Sequence, residues 1–117
     1  MARLTTHVLD VAAGIPAAGM RVELRDAGVS PPRLLTEART NRDGRCDSPL
    51  LEGEAMRVGR YLLTFHVGEY FRGRGVALPE PAFLEEVTVP FGLADAAQSY
   101  HVPLIVSPWS YSTYRGS

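Results

Sequence analysis

The chain has 117 residues, 45% of them hydrophobic and 21% charged, with a formal net charge of −1. This is the size and balance of one globular domain over residues 1–117, and it leaves no basic footprint for nucleic acid or an anionic membrane surface. All twelve basic residues are arginine and Cys46 is the single cysteine, which excludes lysine Schiff-base or P-loop chemistry, an internal disulfide and a cysteine-based zinc cluster.

Eleven glycines and nine prolines divide the sequence into segments that suit strands better than helices. Thr5 to Asp10 is rich in β-formers and runs into a loop from Val11 to Pro16. Met20 to Arg25 alternates strictly, with Met20, Val22 and Leu24 on one face and charges on the other. Gly28 to Pro32 reads as a turn and Arg33 to Thr40 as a weaker strand. In Asn41-Arg42-Asp43-Gly44, Asp-Gly supplies the positive φ of a tight turn. Arg60 to Val67 is the strongest strand, with Tyr61, Leu63, Phe65 and Val67 on one face. Gly68 to Gly75 is the one plausible helix, weakened by its interior glycines at about 1 kcal/mol each. Ala77 to Phe83 holds two prolines and reads as loop. Glu85 to Phe91 alternates again, with Val87, Val89 and Phe91 inward. After a connection from Gly92 to Gln98, Ser99 to Ser107 and Trp109 to Tyr114 form the last strands, split by Pro108. Seven or eight short strands with turn signals at this spacing predict a two-sheet antiparallel sandwich, with a closed barrel as the alternative.

Each of the three histidines has its own setting. His66 is opposite in parity to Tyr61, Leu63 and Phe65 and reads as a solvent-facing residue without a special role. His7 shares a face with Thr5 and Leu9, and His101 shares one with Pro103 and Ile105. In both strands the core face is the other one. Outward faces carrying Leu9 and Ile105 suggest a partner surface, with two unrelated surface histidines as the plain alternative. No H-x-H or H-x-x-x-H spacing occurs and no carboxylates cluster beside the histidines, so a metal site is not expected.

Asp10, opposite in parity to His7, reads as the residue that starts the turn toward Gly14. Gly73-Arg74-Gly75 lacks the third glycine of a dinucleotide-binding loop, no G-x-S-x-G elbow occurs, and Cys46 reads as a small, buried or half-buried residue. Arg45, directly after the Asp43-Gly44 turn, is either a solvated arginine or a planar fork of donors for a flat anionic ligand. The stretch from Trp109 to Ser117 is rich in aromatics and hydroxyls, where chain ends usually fray. It is either an edge strand or a segment lining a site.

Three blocks carry a family resemblance. They are Leu4-Thr5-Thr6-His7-Val8-Leu9-Asp10 with Gly14-Ile15-Pro16-Ala17-Ala18-Gly19, then Thr40-Asn41-Arg42-Asp43-Gly44-Arg45, then Tyr100-His101-Val102-Pro103-Leu104 running to Tyr114-Arg115-Gly116-Ser117. Together they resemble the transthyretin-related family, and within it the 5-hydroxyisourate hydrolases. The terminal Tyr-Arg-Gly-Ser and the histidines separate these from the hormone carriers of the same fold.

The resemblance implies an all-β, transthyretin-like sandwich of two four-stranded sheets with one short helix. It also implies a homotetramer, a dimer of dimers, with active sites at the dimer–dimer interface. The implied reaction opens the ring of 5-hydroxyisourate with water, in urate breakdown, to give 2-oxo-4-hydroxy-4-carboxy-5-ureidoimidazoline. His7, Arg45, His101 and Ser117 are then the catalytic candidates, and Tyr114, Arg115 and Gly116 join His7 and Arg45 in binding substrate. A histidine with a reference pKa near 6.5 can activate water, and an arginine can hold the developing oxyanion, so the implied reaction needs no metal or organic cofactor. His101 is taken as the base with His7 positioning the water or sharing its proton, though the reverse roles fit equally well.

Two places depart from the family pattern. The stretch Ala77 to Glu86 is long and proline-rich, and Trp109-Ser110 replaces a smaller aromatic-glycine pair, with an expected effect on packing beside the site. A non-catalytic carrier of a small aromatic ligand in the same channel is the competing function, and a structural sandwich module the third. The lack of an apolar leader or spanning segment leads to an expected cytoplasmic location.

Overall fold

In the computed structural model, which describes residues 1–116, the elements follow in the order β1 (Arg3–Asp10), β2 (Ile15–Pro16), β3 (Arg21–Asp26), β4 (Arg33–Arg39), β5 (Leu51–Glu52), a single 3-10 turn at Gly53–Ala55, β6 (Gly59–Phe65), α1 (Val67–Gly73), β7 (Val87–Leu93), β8 (Tyr100–Val106) and β9 (Tyr111–Thr113). They make two separate sheets rather than a closed barrel. One has the order β2-β1-β8-β9 with β5 also on β1, and the other β4-β3-β6-β7.

The predicted core faces hold, but Pro103, expected on the outer face beside His101, is also buried, and Val67, expected at the end of a strand, opens α1. In β1, Leu4, Thr6, Val8 and Asp10 are buried while Thr5, His7 and Leu9 are half-buried on the outer face. In β8, Tyr100, Val102, Leu104 and Val106 point into the core. Leu63 and Phe65 from β6, Val22 and Leu24 from β3, and Val87, Val89 and Leu93 from β7 close the core from the other sheet. Each such side chain contributes about 1.5–3 kcal/mol by leaving water. The one polar side chain of β1 within this layer besides Asp10 is Thr6, whose hydroxyl donates to the Val102 carbonyl at 2.7 Å.

Alternation could not reveal β2 and β5, because two residues are too few to show a period. The Ile15-Pro16 segment, expected as loop, pairs with Leu9 and Asp10. The pairing of β1 with β8 is parallel, from Leu4 opposite Tyr100 to Asp10 opposite Val106, while every other strand pair is antiparallel. Helix α1 buries Val67, Tyr70 and Phe71, spaced as one helical face. Arg72 fixes it by donating to both oxygens of Glu85, at 2.7 and 2.6 Å.

His66 is not the idle surface residue its parity suggested. Its side chain is only 11% exposed and hydrogen-bonds Glu23, with an Arg21 nitrogen 3.3 Å away and Glu86 at 3.9 Å. The parity gave the correct face, but α1 and the 85–86 segment border that face. Asp10 does start the turn, accepting the Ala13 N–H at 3.0 Å, and it has a second duty. Its other oxygen accepts the Tyr70 hydroxyl at 2.8 Å, and Arg74 stands 3.7 Å away. Burial and the Asp10 carboxylate push the Tyr70 phenol up to about 12. No helix among the described residues is long and apolar enough to cross a membrane.

Candidate active site

Three chain segments meet on the outer face of the β1–β8 sheet. The middle of β1 is left open between β5 and β2, and the Asn41–Arg45 turn fills the gap. His7 bridges to Arg45 there, and the Val8 N–H donates to the Gly44 carbonyl at 2.8 Å. The Asn41 side chain shapes that turn by accepting the N–H groups of Asp43 and Arg45 at 2.9 and 3.2 Å. Gly44 has φ +77°, and a Cβ on it would stand 2.5 Å from the Val8 carbonyl oxygen and 3.3 Å from His7 Cδ2. Only glycine lets the turn press this closely on β1, which is what carries Arg45 to the histidine.

On the far side of β8, Gly116 bridges to His101 and its N–H donates to the His101 carbonyl at 2.8 Å. The parallel register sets Thr5 beside His101, with Thr5 Oγ1 2.9 Å from His101 Nδ1. The His7 and His101 ring centres are 6.5 Å apart.

A cavity of about 400 Å³ is walled by Arg3, Thr5, Arg45, Ser99, Tyr100 and His101. A neighbouring one of about 290 Å³ shares Arg3, Thr5 and Arg45 and adds Thr6, Cys46 and Ser48. Burial, then the Arg45 charge, holds the His7 pKa below the ordinary histidine value. The same two causes, with His7 added, lower that of His101. Both shifts favour the neutral ring, and a cationic guanidinium stands near each. Neutral imidazoles can take a proton, and the guanidinium can hold an oxyanion. Burial pushes the Cys46 thiol up, away from nucleophilic use. Among the described residues no group of three His, Cys, Asp or Glu side chains is arranged to hold a metal.

The structure thus brings His7, Arg45, His101 and Gly116 together. Arg115 lies elsewhere, with its guanidinium 4.0 Å from the Tyr100 ring centre and donating to Gln98 Oε1 and the Ser99 carbonyl. Tyr114 is exposed and lines a hollow of about 230 Å³ between β7 and β9, together with Val89, Phe91 and Arg115. Ser117 lies outside the described residues. Thr5 and Arg3 were not singled out in the sequence, although the period-two count that turns His7 outward turns them outward too. The two departures from the family pattern meet each other: the Phe83 and Trp109 rings are 5.9 Å apart, both exposed.

Residues 4–116 match the HIUase/Transthyretin family. The chain is 58% identical to the 5-hydroxyisourate hydrolase of Ralstonia nicotianae over 117 residues, covering 100% of both chains. The solved structure of Klebsiella pneumoniae 5-hydroxyisourate hydrolase superposes with a TM-score of 0.83 at 31% identity, again with 100% of each chain covered. Sea bream transthyretin, solved in complex with thyroxine, has a TM-score of 0.86 at 21% identity over 97% of this chain and 94% of that one, a likeness of fold alone. The chain belongs to the HIUase/Transthyretin family.

Proposed function

We propose that this member of the HIUase/Transthyretin family hydrolyses 5-hydroxyisourate, with His101, His7 and Arg45 as its catalytic residues. The activity is that of relatives matched along their whole length. The observation that carries the residue assignment is the pair of histidines, both depressed in pKa, within the field of one arginine. In the proposed step His101 takes a proton from water as the water oxygen adds to the ring carbonyl. Arg45 holds the oxyanion that forms. Collapse breaks the carbonyl carbon–nitrogen bond, and the proton passes from the imidazolium to the leaving nitrogen. The single ring-opened product contains the atoms of one substrate and one water. His7 positions the water or shares its proton.

Gly116 and Arg115 serve this scheme by fixing the chain end against β8, and Tyr114 and Ser117 are proposed as further contacts. The carrier alternative has only a likeness of fold in its favour, and it gives no role to the depressed histidines.

A homotetramer is part of the proposal. Strands β7 and β9 are sheet edges, an apolar hollow lies between them, Tyr114 lines it, and Tyr111 of β9 is exposed, as are Phe83 and Trp109. Open edges and exposed aromatics are the features that association covers. Light scattering checks the mass.

The test of function is the decay of freshly generated 5-hydroxyisourate, followed by ultraviolet absorbance against a protein-free blank. Wild type, His101→Asn and Arg45→Ala are run side by side, with circular dichroism for folding. Acceleration by wild type alone is expected. A folded wild type that matches the blank defeats the proposal.

A further inference from the structure

We propose that Thr5 is a positioning residue that fixes the tautomer of His101, with the proton on Nδ1 and the lone pair on Nε2 turned to the substrate. The inference rests on the hydrolase reading for its meaning, but its structural basis is separate.

His101 is held from both sides of β8. On the β1 side, the parallel register puts Thr5 directly opposite it, and the Thr5 hydroxyl is 2.9 Å from Nδ1. On the other side the Gly116 backbone packs against the ring, so closely that a Cβ there would stand 2.7 Å from Cδ2 and 3.3 Å from Cγ. Nδ1, Cγ and Cδ2 are thereby taken up, which leaves the Nε2–Cε1 edge as the part of the ring that can meet a ligand in the cavity it lines.

The cavity side chooses between the tautomers. Arg45 lines the same cavity as His101, and the Arg45 and His7 fields oppose positive charge on the ring. A guanidinium lacks an acceptor, so on that side the ring gains by presenting a lone pair. Nδ1–H toward Thr5, with the hydroxyl accepting, satisfies this and leaves no ring proton unpaired. Nδ1 keeps its proton in both states of the cycle, so the Thr5 hydroxyl accepts throughout, when Nε2 gains a proton and when it loses it.

The test uses the full chain labelled with 15N-histidine. Two-bond proton–nitrogen spectra above pH 7 report which nitrogen of His101 is protonated, with His101→Asn identifying its signals. Wild type is expected to show Nδ1–H, Thr5→Ser to keep it, and Thr5→Val to show a mixture or the opposite form. Turnover of 5-hydroxyisourate is measured on the same samples. In Thr5→Val, kcat is expected to fall about tenfold with KM changed less than about twofold, the loss of one hydrogen bond felt mainly in the reacting state. Thr5→Ser is expected to recover most of it.

An Nε2–H tautomer in wild type overturns the proposal, as does a Thr5→Val protein with unaltered tautomer and kcat. A serine variant that behaves like the valine variant overturns it too. The tautomer is read without turnover, so an inactive wild type with Nδ1–H at His101 counts against the hydrolase reading and not against this one.

Discussion

Replacing Gly116 by alanine isolates what a fraction of an ångström is worth at His101. Gly116 does not have a positive φ, so the alanine backbone is comfortable and the only penalty is contact. The added methyl would lie 2.7 Å from His101 Cδ2, about 0.7 Å inside ordinary contact at 3.4 Å. Gly116 and Thr5 flank the ring from opposite sides, so a ring pushed off the methyl is driven toward a hydroxyl already at 2.9 Å. It must tilt out of register or the terminal segment must lift. Gly116 is half-buried in a short bridge, and the stability lost is expected to be about 1 kcal/mol, the low end for overpacking. The rate is far more sensitive, because a displacement approaching 1 Å at a catalytic group costs about 10²-fold. Gly116→Ala should lower kcat by about 30- to 100-fold in the ultraviolet decay assay, while its urea midpoint moves little. A variant with wild-type kcat would show that the Gly116 contact does not set the ring, and the reasoning would fail.

Gly44→Ala should act in the opposite proportion. Both its φ of +77° and its closeness to the Val8 carbonyl oxygen resist a side chain, so about 2–4 kcal/mol of stability should be lost in urea unfolding, with activity falling as the turn withdraws Arg45. The pH profile carries a sign. The pKa values of both site histidines are lowered, so the neutral rings persist on acidification and the acid limb of kcat/KM should lie below the ordinary histidine value near 6.5. Arg45→Ala removes one of the lowering causes and should move the limb upward in whatever activity remains. A limb that stays put or moves down contradicts the placement of the charge. Tyr70→Phe leaves the buried Asp10 carboxylate without its hydroxyl donor and should cost about 1.5–3 kcal/mol. The Tyr70 phenol is raised to about 12, so its contribution is present below pH 10 and lost as pH climbs from 10 toward 12. The phenylalanine variant should lose less stability across that window than wild type does.

What could be read from the sequence was local. The period of two placed Val8, Val102 and Leu104 inward and His7 and His101 outward, because a strand's alternation survives whatever surrounds it. The Asp43-Gly44 turn was visible for the same reason. Arrangements made by distant segments were not visible. No pattern in β1 says that its neighbour is β8 or that the pair runs parallel, so the contact of Thr5 with His101 could not be seen. The turn before Arg45 was legible, but its insertion beside His7 depends on the gap between β5 and β2. His66 and Asp10 show the same limit. Their faces or turns were read correctly, while Glu23 and Tyr70, which settle their environment, come from other elements.

The parallel pairing of β1 with β8 ties catalysis to the longest loop in the fold. Thr5 and His101 are 96 residues apart, and joining them closes nearly the whole chain, with an entropic cost that no local contact offsets beforehand. Each sheet hairpin can form early on its own contacts, but β1–β2 carries His7 without His101 and β8–β9 carries His101 without His7, so none holds the assembled reaction centre. Turnover therefore begins only when the last long-range pairing is made. During refolding the recovery of activity should trail the recovery of strand signal, which makes hydrolysis a clock for the final step of assembly.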